Sequence, residues 1–207
     1  MANPQNTLLQ ARRFRWWEPV LWLLAFAAPL ALPSHALIIN EIAIVALFAI
    51  SLDLILGYTG IVSLGHAAFF GGAGYVTGYA LRTWGWPTEL GLLAGVATGA
   101  LLGLVIGGLA IRRQGIYFTM ITLALAQMVY FLALRLPFTG GEDGLQGVPR
   151  GTLLGMIDLG NDTVLYYVVL AIFIAGFALI VRTIHSPFGQ VLKAIKENEP
   201  RAISLGY

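Results

Sequence analysis

The sequence predicts an all-α, polytopic membrane protein: about six transmembrane helices, then a helical segment on the cytoplasmic side. Three observations predict it. Only 11% of the 207 residues are charged, 58% are hydrophobic and the mean hydropathy is +0.80. A soluble domain carries roughly 25% charged residues, so lipid must solvate most of this surface. Six stretches, about 16–32, 36–56, 61–81, 88–111, 116–136 and 163–181, approach the roughly 20 apolar residues that a bilayer-spanning helix needs. With the N-terminus inside, nine of the 12 Lys and Arg residues fall on the cytoplasmic side of all these crossings, the side where basic residues accumulate.

The elements follow in order. Residues 1–15 form a short cytoplasmic segment, and 16–182 form the transmembrane domain. The first span is short and contains Pro29; Arg12, Arg13 and Arg15 precede it, as in a secretory signal. Trp16, Trp17 and Trp22 favour a retained interfacial anchor, and a second span begins at once. Gly57-Tyr58-Thr59-Gly60 breaks the second span from the third near the cytoplasmic face, and a helix rich in small residues then runs from Ser63 to Leu81. Unwound backbone at membrane depth survives only where it is buried in protein or lines a cavity. Broken helices of this kind form binding sites in transporters, so Gly57, Gly60, Ser63, His66, Gly71 and Gly74 are the candidate substrate path. His66 by itself reads as a packing residue, because no second His or carboxylate lies three or four positions away.

In the fourth span Gly91, Gly95, Gly99, Gly103 and Gly107 recur every four residues. Overlapping small-xxx-small spacings of this kind let another helix approach closely. Residues 137–162 form a long outer, periplasmic loop containing "TGGEDGLQGVPRG", read as a contact for a soluble partner, a lid or a solvated connection. The segment 183–207 returns to the cytoplasm. Ser186 is a good N-cap with Pro187 at the first helical position. Phe188, Val191, Leu192 and Ile195 make one apolar stripe, with Lys193 and Lys196 on other faces, and Asn198-Glu199-Pro200 bends the chain into a second short helix.

Several function classes are excluded or disfavoured. The net charge of +2 without a basic stripe argues against a nucleic-acid partner. The absence of cysteine removes disulfides, thiolate metal sites and Cys nucleophiles. No Walker A, HExxH or GxSxG pattern occurs. The middle third of each span holds no Asp, Glu, Lys, Arg or His, and Gln127 is its most polar group. Ion-coupled pumps place ionisable groups at that depth, so energy for uphill transport has to enter from outside the spans. An intramembrane enzyme using His66, Asp53 or His35 is disfavoured, since these residues form no triad, dyad or metal spacing. A channel or scaffold would need no such tail.

The segments "LDLILGYTGIVSLGHAAFFGGAGY", "RRQGIYFTMITLALAQM", "TGGEDGL" and "SPFGQVLKAIKENEPRAISLGY" resemble blocks of the LivM-type permease subunits of bacterial branched-chain amino acid ABC transporters, over nearly all of 36–207. Glu199, Ala202 and Gly206 fit the E-x-x-A-x-x-x-G pattern of the importer coupling loop. The resemblance implies a passive, multi-pass permease of the bacterial inner membrane with no cofactor of its own. Its partners would be a second permease, two cytoplasmic subunits that bind ATP and a periplasmic substrate-binding protein. It implies ATPase coupling through Phe188, Gly189, Lys193, Lys196, Glu197, Glu199, Ala202 and Gly206. Leucine, isoleucine and valine are the expected substrates, with urea or short amides as the alternative. Members of the family continue with further spans beyond such a tail, so the sequence reads as a C-terminally truncated permease.

Overall fold

The computed structural model describes residues 17–31, 35–113 and 115–204. The helices are α1 (Trp17–Ala31), α2 (Ala36–Thr59), α3 (His66–Thr83), α4 (Thr88–Ala110), α5 (Ile116–Arg135), α6 (Asp162–His185) and α7 (Pro187–Ser204). Between α5 and α6 lie two short 3-10 turns and an antiparallel hairpin, β1 (Thr152–Leu153) with β2 (Ile157–Asp158), paired in the register Thr152–Asp158. The molecule is an all-α polytopic membrane protein.

Four helices, α2, α4, α5 and α6, are long and apolar enough to cross a membrane. α2 and α4 are apolar around their whole circumference, as expected of helices that meet lipid or other helices on every side. The other two expected spans correspond to α1, a shorter apolar helix, and α3, whose 18 residues include Gly71, Gly72, Gly74 and Gly78. Large side chains point outward, with Leu104 75% and Val96 71% exposed, while most of the buried residues are small, such as Ala68, Ala80 and Ala110. That inversion of the soluble pattern is what a lipid solvent dictates.

Two helix pairs dominate the packing, α3 with α4 and α2 with α6. The glycine stripe of α4 divides between two environments. A Cβ on Gly91 would stand 2.8 Å from Leu81 Cδ2, and one on Gly95 would strike Thr77 Oγ1, so both face α3 closely. Gly99 is looser, with Ala73 Cβ at 3.8 Å, and nothing lies within 4 Å of a Cβ on Gly103 or Gly107. α6 meets α2 through Gly176, where a Cβ would stand 2.9 Å from Leu47 Cδ1.

α1 docks on α6 by a device that follows from its proline. Pro29 has no N–H, so the carbonyl of Ala25 loses its helical donor. The Tyr166 hydroxyl supplies one at 2.5 Å, and Tyr166 is 2% exposed. Trp22 completes the contact, edge-on to Phe173 and Phe177.

The segment between α5 and α6 is folded onto the helices. The Thr139 hydroxyl lies between Ala133 O and Leu136 O, the latter at 2.6 Å, and its one proton is shared between them. Ala133 O lacks a helical donor because residue 137 is proline, and Leu136 O also accepts from the Thr139 N–H at 3.3 Å. Glu89 accepts from the Leu154 amide, Thr88 donates to Arg150 O at 3.5 Å, and Arg150 pairs with Asp162 at 2.5 Å. Leu145 and Val148 lie against Gly78 of α3.

Candidate functional site

At the junction of α2, α3, α5 and α7 the backbone leaves helical geometry between Thr59 and His66. The expected break at Gly57 is corrected here. α2 continues through Gly57 to Thr59, and the break starts at Gly60. Gly60 has φ +73°, a left-handed conformation that glycine adopts without a Cβ penalty, and its N–H bonds Leu56 O at 3.2 Å. Glycine alone does not end a helix, and Gly57 keeps helical geometry with the Asp53 carboxylate folded beside it.

The start of the third helix also moves, from the expected Ser63 to His66. Residues 61–65 are non-helical, and α5 bonds two of their backbone groups. The Thr119 hydroxyl donates to Val62 O at 2.8 Å, and the Leu64 N–H donates to Thr122 Oγ1 at 3.3 Å. Thr122, 2% exposed, uses its own proton on Thr119 O at 2.9 Å. Gly65 fits where a Cβ would stand 3.4 Å from Thr122 Cβ and 3.7 Å from Ile106 Cγ2, so α4 and α5 both close on it. The Ser63 hydroxyl accepts from the Gly65 N–H at 3.4 Å.

The tail meets this break from below. Ser186 caps α7, its hydroxyl accepting from the Gly189 N–H at 3.3 Å. Gly189 is buried, and a Cβ there would strike Ile184 O. The two lysines turn towards α2 rather than away from the protein. Lys196 Nζ donates to Gly57 O at 2.6 Å, and Lys193 Nζ lies 5.1 Å from the centre of the Tyr58 ring. Gly57 O is one of the carbonyls that a helix C-terminus leaves without a partner. Two ammonium groups at that terminus also complement the helix dipole. α7 bends at Asn198, where φ −162° and ψ 94° leave helical geometry, as the Asn198-Glu199-Pro200 pattern leads one to expect. Phe188 is exposed and Ala202 buried. Glu197 shares a cleft of about 620 Å³ with Gly57, Tyr58, Lys193 and Lys196. The Glu199 side chain and Gly206 lie outside the described residues.

The candidate path residues occupy separate surroundings. Gly60 lines a cavity of about 660 Å³ with Thr59, Val62, Arg113, Thr119 and Lys196. Gly71 and Gly74 line a groove of about 790 Å³ between α3 and α4, with Leu145 and Val148 at its edge. His66 faces a third, apolar cavity of about 510 Å³ with Phe48, Phe70 and Val169. Its ring packs edge-on to Phe69 at 5.6 Å, and its enclosed Nδ1 makes no hydrogen bond. Sequence reasoning missed Gly65, Thr119 and Thr122. The readable signal was a threonine pair three residues apart in the first half of a largely apolar span.

Residues 35–207 match the family described as branched-chain amino acid transport system / permease component. The chain is 27% identical over 188 residues to the high-affinity branched-chain amino acid transport system permease protein LivM of Escherichia coli (strain K12), an overlap of 77% of this chain and 43% of that protein. It is 27% identical, over the same shares, to the protein of that name from Salmonella typhimurium (strain LT2). The chain thus spans less than half the length of the curated relatives it matches. No solved structure matches it.

Proposed function

The chain belongs to the family of permease components of branched-chain amino acid transport systems, and on that premise we propose that it forms part of an ATP-driven translocation path for leucine, isoleucine and valine across the bacterial inner membrane. The N-terminus and α7 lie in the cytoplasm, and the segment between α5 and α6 faces the periplasm. A second permease subunit completes the path, two cytoplasmic ATP-binding subunits grip α7, and a periplasmic binding protein delivers substrate.

One observation carries this reading. The amphipathic tail is bonded through Lys196 to the turn where α2 breaks. The span centres hold no ionisable group that could drive transport, so a mechanical input at the membrane edge fits the composition. The apolar cavities suit branched aliphatic side chains. The 60–65 segment offers backbone groups for a zwitterion, which needs polar partners inside a low-dielectric site.

The experiment is a pull-down with the full-length permease and its partner subunits. Glu199→Ala or Gly206→Pro releases the ATP-binding subunits from membranes that still contain the permease, and uptake of labelled leucine stops. If these variants keep both the subunits and uptake, or if no such subunit ever co-purifies with the unaltered protein, the reading fails.

A further inference from the structure

The broken segment is held at both ends, by different elements. At the α3 end, Thr119 and Thr122 of α5 fix Val62 and Leu64, with Gly65 packed between Ile106 and Thr122. At the α2 end the hold comes from the tail. The helical donor for Gly57 O would be the Ile61 N–H, which instead bonds Thr59 Oγ1 at 3.3 Å, and Lys196 Nζ fills that role at 2.6 Å. The lysine stem is part of the same contact, because a Cβ on Gly60 would stand 3.0 Å from Lys196 Cγ. Lys193 adds a second hold on the Tyr58 ring, one turn back along the tail. Between the two fixed ends lie the left-handed Gly60 and the non-helical residues 61–63. Element-terminal positions of this kind absorb backbone rotation when packed elements shift.

We infer that Lys196 is a positioning residue that straps the tail to the last turn of α2, so that displacement of α7 is passed to the Gly60–Gly65 segment. This rests on the coupling role proposed above, but it assigns the lysine inward, to the permease's own backbone, and not to the surface that the ATP-binding subunits touch. A charge-assisted donor on a carbonyl at a helix end is strong and directional, and the strap needs the donor more than the particular amine. Arginine therefore replaces lysine at this position, whereas methionine, of similar length but with no donor, does not.

The test uses the full-length permease assembled with its partner subunits. Lys196→Met is expected to lower leucine uptake about tenfold or more, the scale of one lost charge-assisted bond, while the ATP-binding subunits still co-purify. Lys196→Arg keeps at least about half of the uptake, since the donor remains. In the Met variant, hydrogen exchange of the 57–65 amides rises above that of the unaltered protein. Normal uptake in the Met variant overturns the inference. So does loss of the ATP-binding subunits from that variant, which would place Lys196 on the docking surface. If the unaltered protein binds no ATP-binding subunit, the proposed function fails separately, and the exchange comparison alone decides the strap: raised exchange supports it, and unchanged exchange overturns it.

Discussion

Tyr166 and Pro29 show how one residue's missing atom dictates another's position. Proline at 29 removes the donor for Ala25 O, and the tyrosine hydroxyl, 141 residues along the chain, replaces it. Tyr166→Phe should therefore cost about 1 kcal/mol of stability, read as a lower thermal midpoint in detergent. In a Pro29→Ala background, where the helix restores its own donor, the same substitution should cost less, and the double-mutant cycle isolates the difference. The tyrosine alone gives no hint of this bond. Proline was legible as an irregularity, but the group that satisfies it is remote in sequence. Gly60 has the same lesson. The cluster of glycines marked a break, yet only the φ of +73° at Gly60 tells it apart from Gly57, which stays helical.

At the scale of elements, the α4 stripe separates packing from mere periodicity. Gly91 and Gly95 press on α3, whereas Gly103 and Gly107 face open space. Gly95→Ala must displace Thr77 and should destabilise by about 1–3 kcal/mol, the usual cost of overpacking. Gly103→Ala meets nothing and should stabilise by up to about 1 kcal/mol through helix propensity. Thermal unfolding of the two variants in one detergent checks both signs; equal effects would mean that the stripe packs along its whole length. The spacing of the glycines was visible in the sequence, but which half meets a neighbour depends on where α3 ends. At that end Thr119 and Thr122 bond Val62 and Leu64, which lie outside the helix. The tail bend, by contrast, was legible because its cause is local: Pro200 has no N–H for the Lys196 carbonyl, and a proline ring crowds the carbonyl four residues back, so the helix breaks in the preceding turn, at Asn198.

At the scale of the whole molecule, the helices form a lipid-solvated body whose interior is small-sided and whose α5–α6 segment and tail are both tied down. Glu89, Thr88 and the Arg150–Asp162 pair hold the former, and Lys193 and Lys196 the latter. Membrane character was readable from composition, because so few charges cannot cover a water-exposed surface. The tail's attachment was not, since amphipathic periodicity locates an apolar stripe without saying where flanking lysines point. The proposed function puts α7 in the cytoplasm, in the grip of an ATP-binding subunit. The sequence has no cysteine, so a single thiol placed at the 61% exposed Phe188 reports this directly. In intact cells, Phe188→Cys should react only with membrane-permeant thiol reagents and should cross-link to the ATP-binding subunit in the assembled transporter. Labelling by an impermeant reagent from the periplasmic side would contradict it.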